Sequence, residues 1–139
     1  MKALKASKFF EIRFSEIDSM KVAWHGSYVL YLEDAREFWG AKYGLGYQDF
    51  MDNRYYAPIV EMDIRYKNPL FYGMKARIDI IYQPTISSKI VFDYEIYNTA
   101  DESLIATAHT VQVFIDTNYE LVLDNPDFYQ EWKEKWSVL

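Results

Sequence analysis

Only one long stretch of this chain carries a helical hydrophobic period. From Tyr28 to Tyr43, Leu32, Ala35 and Trp39 recur at helical spacing while Glu33, Asp34, Arg36, Glu37 and Lys42 fill the other faces. Ser27 offers an N-cap oxygen before it and Gly44 a C′ residue after it. Lys8 to Ser15 alternates as a half-buried strand does. Gly46 to Asn53 reads as a loop or a short extra helix. Four extended stretches then follow: Tyr56 to Tyr66, Lys75 to Gln83, Lys89 to Asn98 and Leu104 to Asp116. Turn chemistry separates them, at Asn68-Pro69 and Gly73, Pro84 and Ser87-Ser88, and Asn98 to Asp101. A sheet with one apolar face needs a cover, and the helix, about 24 Å long, is the element available. The expected class is α+β, an antiparallel meander against one long helix. A short amphipathic helix from Asp127 to Trp136 should pack outside the sheet or on a partner through Phe128, Trp132 and Trp136.

With 139 residues, half of them hydrophobic and 19% aromatic, the chain fits one folded domain spanning 1–139. The net charge of -6 repels nucleic acid and anionic membrane alike, so a polyanionic ligand needs a local basic patch. The absence of cysteine removes disulfides, thiolate nucleophiles and Cys-based metal sites, and two histidines without cysteine argue against a metal. No apolar run reaches signal-peptide or membrane-spanning length, so the expected location is cytoplasmic.

Chemistry concentrates between the first strand and the helix. Glu16, Asp18, Ser19, Lys21, His25 and Ser27 all lie within this one linker. The leading N–H groups of a helix lack intrahelical partners and carry partial positive charge, so they can polarise a carbonyl or hold an oxyanion. A carboxylate opposite them could attack the carbon or activate water. Taken alone, such an Asp is more often a turn or capping residue. The chain has no nucleophile elbow, P-loop, dinucleotide-binding glycine motif or H-E-x-x-H.

The same residues resemble the 4-hydroxybenzoyl-CoA thioesterase family of hot-dog proteins. The likeness runs through Arg13-Phe14-Ser15-Glu16-Ile17-Asp18, Val22-Ala23-Trp24-His25-Gly26-Ser27-Tyr28 and Tyr31-Leu32-Glu33-Asp34-Ala35-Arg36. It continues in Asp63 to Met74, Asp93 to Tyr97 and Leu104 to Asp116. The resemblance implies an antiparallel sheet wrapped around one long central helix, an acyl-CoA substrate and no cofactor. It puts Asp18 on the catalytic carboxylate, acting as nucleophile or general base, and the carbonyl-polarising N–H at His25. It makes Trp24 and Tyr28 pocket residues. Coenzyme A phosphates would meet Lys89, with Lys67 and Arg65 behind it, and Lys21 would contact substrate. A homodimer or dimer of dimers is implied, with sheets continuing from copy to copy. Glu16 replaces the first acid of the family's D-x-D, and Lys21 stands where a Gly is expected, a strained choice if that position needs positive φ. Met74 replaces the acid after Gly73. The alternatives are an acyl-ACP thioesterase, which would need a basic docking patch, and a non-catalytic acyl-thioester binding protein.

Overall fold

In the computed structural model, which describes residues 3–139, the chain forms one antiparallel sheet with a long helix on its inner face. The strands are β1 (Lys5–Glu11), β2 (Ile59–Tyr66), β3 (Lys75–Gln83), β4 (Lys89–Asn98), β5 (Leu104–Ile115) and the short β6 (Leu121–Val122). The helices are α1 (His25–Tyr43), α2 (Tyr47–Asp52) and α3 (Asp127–Lys135). The α+β class and the helix-on-sheet arrangement are as expected from the pattern.

The order β1-β3-β4-β5-β2 corrects the simple meander. Only β3, β4 and β5 follow one another. β1 pairs with β3, while β2 crosses to the far edge and pairs with β5, because α1 and α2 separate β1 from β2 in sequence and carry the chain across the sheet. The first strand also sits earlier than its alternation suggested. Phe14–Glu16 is a 3-10 turn, and Phe14 is exposed.

Alternation places Ile78, Ile80 and Tyr82 of β3, and Phe92, Tyr94 and Ile96 of β4, on the inner face. Against them α1 buries Tyr28, Tyr31, Leu32, Ala35 and Trp39, which fall on one stripe at helical spacing. α1 starts three residues before the expected Tyr28, with Trp24 as N-cap, and Ser27 is not the cap. The Ser27 hydroxyl instead donates to the Glu16 carbonyl at 2.8 Å. Gly44 ends the helix in the left-handed region at φ 75°, as its sequence position implied. Gly40 is needed for a different reason: a Cβ there would stand 2.6 Å from Gly46 Cα, so α1 and α2 could not approach as closely.

α3 packs Phe128, Trp132 and Trp136 on the core as expected, and its most buried face also takes in Tyr129 and Lys133. Tyr129, Trp132 and Lys133 are its buried residues, whereas Phe128 and Trp136 are partly buried. Lys133 is almost wholly covered, and its ammonium donates to the carbonyls of Thr85 and Ser87 and to Asn125 Oδ1. This fastens α3 to the β3–β4 turn.

The aromatic core makes the fold alkali-sensitive. Burial pushes the hydroxyls of Tyr28 and Tyr82 up to about 12, and burial likewise raises Tyr129 and Tyr94. Groups whose folded pKa lies above the unfolded value contribute stability that is complete below the unfolded pKa and lost as pH rises through the folded one. The urea midpoint should therefore hold up to about pH 10 and fall steeply between about pH 10 and 12. Tyr82→Phe should make that fall shallower. A midpoint that stays level to pH 12 would contradict this account of the core.

Candidate active site

The linker ahead of α1 folds into a tight hairpin. Ile17 bridges Ala23, the Asp18 N–H donates to the Val22 carbonyl at 2.9 Å, and the Lys21 N–H donates to the Asp18 carbonyl at 3.0 Å. Lys21 turns the chain with φ 65°, the left-handed conformation a glycine would adopt without strain. The loop therefore keeps the turn that glycine suits, and does so with lysine. A second set of bonds pins the hairpin to the turn after β2: Val22 bridges Phe71, and the Ala23 N–H donates to the Leu70 carbonyl at 2.7 Å.

Between this hairpin, the start of α1 and the end of β2 lies a cleft of about 380 Å³. Asp18, Trp24, His25 and Tyr28 line it together, joined from the β2 side by Tyr66 and Lys67. Asp18 is half-buried, and its Oδ1 accepts the Met20 N–H at 2.8 Å, as a plain turn aspartate would. Its Oδ2 has no protein donor among the described residues. The His25 and Gly26 N–H groups open the helix and donate to no protein acceptor among the described residues. Asp18, with one carboxylate oxygen free of protein donors, and His25, whose N–H is unsatisfied, thus line one cleft; Gly26 is not part of its lining. That combination can attack and stabilise a carbonyl group.

The walls are aromatic. Tyr28 meets Tyr66 edge-on at 4.8 Å between centroids, and the Tyr66 hydroxyl donates to the His25 carbonyl at 3.4 Å. Trp24 folds back over Gly26 so closely that a Cβ there would lie 1.9 Å from the indole ring. Gly26 is thus the residue that lets Trp24 cover the helix terminus.

The structure does not bring all the named residues together. Lys21 is exposed at the tip of the hairpin and is not part of the cleft lining. Lys89 opens β4 opposite Val113, at the other end of the sheet from Tyr66, so it does not reach the cleft of its own chain. Arg65 lies on the outer face beside Asp63, at 3.5 Å. Tyr66 was missed by sequence reasoning. It stands at a regular inward position of β2 and nothing in its pattern distinguishes it from other strand tyrosines.

A second, larger chamber of about 740 Å³ lies along the same flank of α1, lined by Val29, Arg36, Phe50, Ile59, Met62 and Phe92 among others. Among the described residues, no cluster of three or more acidic or histidine side chains could hold a metal ion. No helix there is long and apolar enough to cross a membrane.

A family model described as "Thioesterase-like superfamily" matches residues 12–133. YneP of Bacillus subtilis (strain 168), provisionally named an acyl-CoA thioesterase, is 32% identical over 109 residues, covering 78% of this chain and 79% of its own. A 1,4-dihydroxy-2-naphthoyl-CoA hydrolase of Microcystis aeruginosa (strain NIES-843 / IAM M-2473) is 26% identical, covering 92% of each chain. The crystal structure of a DHNA-CoA thioesterase from Staphylococcus aureus superposes with a TM-score of 0.85 at 27% identity, covering 96% of this chain and 89% of that one. The matching family is thus the broad one, and these relatives carry names other than 4-hydroxybenzoyl-CoA thioesterase.

The strained turn is open to a direct check. Lys21→Gly should stabilise the fold by up to about 1 kcal/mol, since relief of the left-handed conformation outweighs the extra freedom of glycine in the unfolded chain. Chemical denaturation would measure it, and a destabilised variant would mean that the lysine side chain holds the hairpin.

Proposed function

We propose, since the chain belongs to the thioesterase-like superfamily and is a thioester hydrolase of the hot-dog fold, that it hydrolyses acyl-CoA thioesters at the Asp18 cleft. The observation that carries this reading is the single cleft lined both by Asp18, with a carboxylate oxygen free of protein donors, and by His25, whose N–H at the start of α1 is unsatisfied. The thioester carbonyl lies against the His25 N–H, which withdraws electron density from the carbon. Asp18 then delivers the attack, either directly or by taking a proton from water. The developing oxyanion is held by the helix terminus, and loss of one such donor typically costs 10²–10³-fold in rate. Collapse breaks the C–S bond, the thiolate leaves and is protonated, and the acid is released. Where Asp18 attacks directly, water then cleaves the acyl-enzyme anhydride.

Exposed Lys67 at the cleft and Lys21 beside it are suited to the phosphates of the carrier despite the acidic average. Lys89 takes part only from a second copy. β2 is an edge strand with one side unpaired among the described residues, and Val60, Met62 and Tyr66 along it are exposed. Two-fold pairing of β2 with its counterpart runs the strands antiparallel. That would set the Tyr66 end of one protomer beside the Ile59 end of the other, where the partner's apolar chamber and Lys89 lie. A homodimer with an acyl pocket completed across the edge is the assembly this supports, and two such dimers could associate further.

Asp18→Asn should lower thiol release from acyl-CoA by at least about 10³-fold while leaving the circular dichroism and melting curve intact. A panel of short, long and aromatic acyl-CoAs should be tried beside the same acyl groups on acyl carrier protein. Full activity in the mutant would sink the assignment of Asp18. Wild-type turnover of carrier-protein thioesters alone would move the substrate to that class, and silence on both would favour a binding role.

A further inference from the structure

We propose that Glu16 is a positioning residue for hydrolysis, fixing the Asp18 hairpin against the first turns of α1, with Tyr31 as its anchor on the helix. The inference rests on the assignment of Asp18 and the His25 N–H as the reacting pair.

Glu16 sits immediately before the hairpin closed by Ile17 and Ala23. Its main-chain carbonyl accepts the Trp24 N–H at 3.1 Å and the Ser27 hydroxyl at 2.8 Å. Trp24 is the residue directly before His25, so one carbonyl oxygen ties the base of the Asp18 hairpin to the donor it must face. The side chain does the complementary work. Oε1 accepts the Arg13 N–H at 2.9 Å and the Tyr31 hydroxyl at 3.0 Å, and Oε2 accepts Arg13 Nε at 3.2 Å. Both oxygens are thereby engaged, and the side chain is 12% exposed.

Tyr31 is a sound anchor. It belongs to the buried stripe of α1 and packs against Phe10 of β1 at 4.6 Å, so its hydroxyl cannot wander. Burial first, and the Glu16 carboxylate second, raise its pKa, which keeps the hydroxyl a donor throughout the working range. Neither residue lines the Asp18 cleft. Both face a separate cleft of about 640 Å³ on the β1 side of the hairpin, with Arg13 and Tyr72. Glu16 therefore acts through the backbone it holds and does not touch substrate in the Asp18 cleft. A carboxylate displaced by about 1 Å from its carbon can lose on the order of 10²-fold in rate without losing binding.

The test is steady-state kinetics of Glu16→Ala, Glu16→Gln, Tyr31→Phe and Ser27→Ala on an acyl-CoA that the wild type hydrolyses, with melting curves for each. Glu16→Ala should lower kcat by about 10²-fold and Tyr31→Phe by about 5–10-fold, with KM within about twofold of wild type. Glu16→Gln should keep kcat within about threefold, because an amide oxygen still accepts from Tyr31 and from the Arg13 N–H. Should Glu16→Ala fail to fold, Tyr31→Phe and Ser27→Ala decide, each removing a single hydroxyl. Unchanged kcat in the folded variants, while Asp18→Asn is inactive, would overturn the role of Glu16 and leave Asp18 standing. So would a rise in KM in place of a fall in kcat, or a Gln variant as impaired as the Ala. A wild type silent on every thioester would overturn the assignment of the cleft and this inference with it.

Discussion

The burial of Trp39 between helix and sheet is the contact on which the rest of this molecule depends. The indole is fully covered, stacks on Tyr82 of β3 at 5.7 Å and meets Phe92 of β4 edge-on at 4.7 Å. It also touches Trp132 of α3 and donates from Nε1 to the Leu4 carbonyl beside β1. One side chain thus joins both ends of the chain to the sheet. Removing a buried Trp or Phe typically costs 3–5 kcal/mol, a large part of the 5–15 kcal/mol that a domain has in total. Because Trp39 fixes the C-terminal half of α1, the N-terminal half is delivered to the sheet end at a set height and angle. The Asp18 cleft inherits its geometry from that.

What the scaffold leaves to be fixed locally is the relation between a hairpin and a helix terminus, and the linker supplies it with hydrogen bonds. A hairpin this short has little apolar area with which to hold itself, so main-chain bonds to the Leu70 turn and to Glu16 take that role. The left-handed Lys21 shows the same priority. The turn conformation is kept although the residue there is strained by it, as happens where surrounding contacts over-determine the backbone.

The long helix, the extended stretches and the C-terminal helix were legible because large apolar residues recur along each at helical or alternating spacing. Strand order was not, since β2 and β3 read alike as neighbours joined by a turn and only tertiary packing sends β2 to the far edge. The helix start was misplaced because Ser27 looks like a cap. Its hydroxyl is taken by Glu16, and Trp24, a poor cap by propensity, holds the position by folding over Gly26. At the cleft, Asp18, Trp24, His25 and Tyr28 are near in sequence and could be named together. Tyr66, which closes the cleft from the end of a strand 38 residues beyond Tyr28, carries no local signal. Lys89 was chosen as a turn cation for the carrier's phosphates, and a single chain gives it no route to the carboxylate.

The edge strand explains why that route would run through a second copy. Free strand edges invite unwanted pairing, and proteins commonly blunt them with charge. β2 does this on one face only: Glu61, Asp63 and Arg65 alternate on the outer side, while Met62 and Tyr66 face the helix side and remain exposed. α1 adds exposed Val29 and Leu30. The protection is therefore lopsided, and the unprotected side is the flank into which both the Asp18 cleft and the apolar chamber open. A partner that covers this apolar seam by pairing β2 to β2 must also roof the two cavities. Under that pairing, the interaction that shields the edge from aggregation would also complete the proposed acyl site, so association and hydrolysis would be lost together when the seam is disrupted.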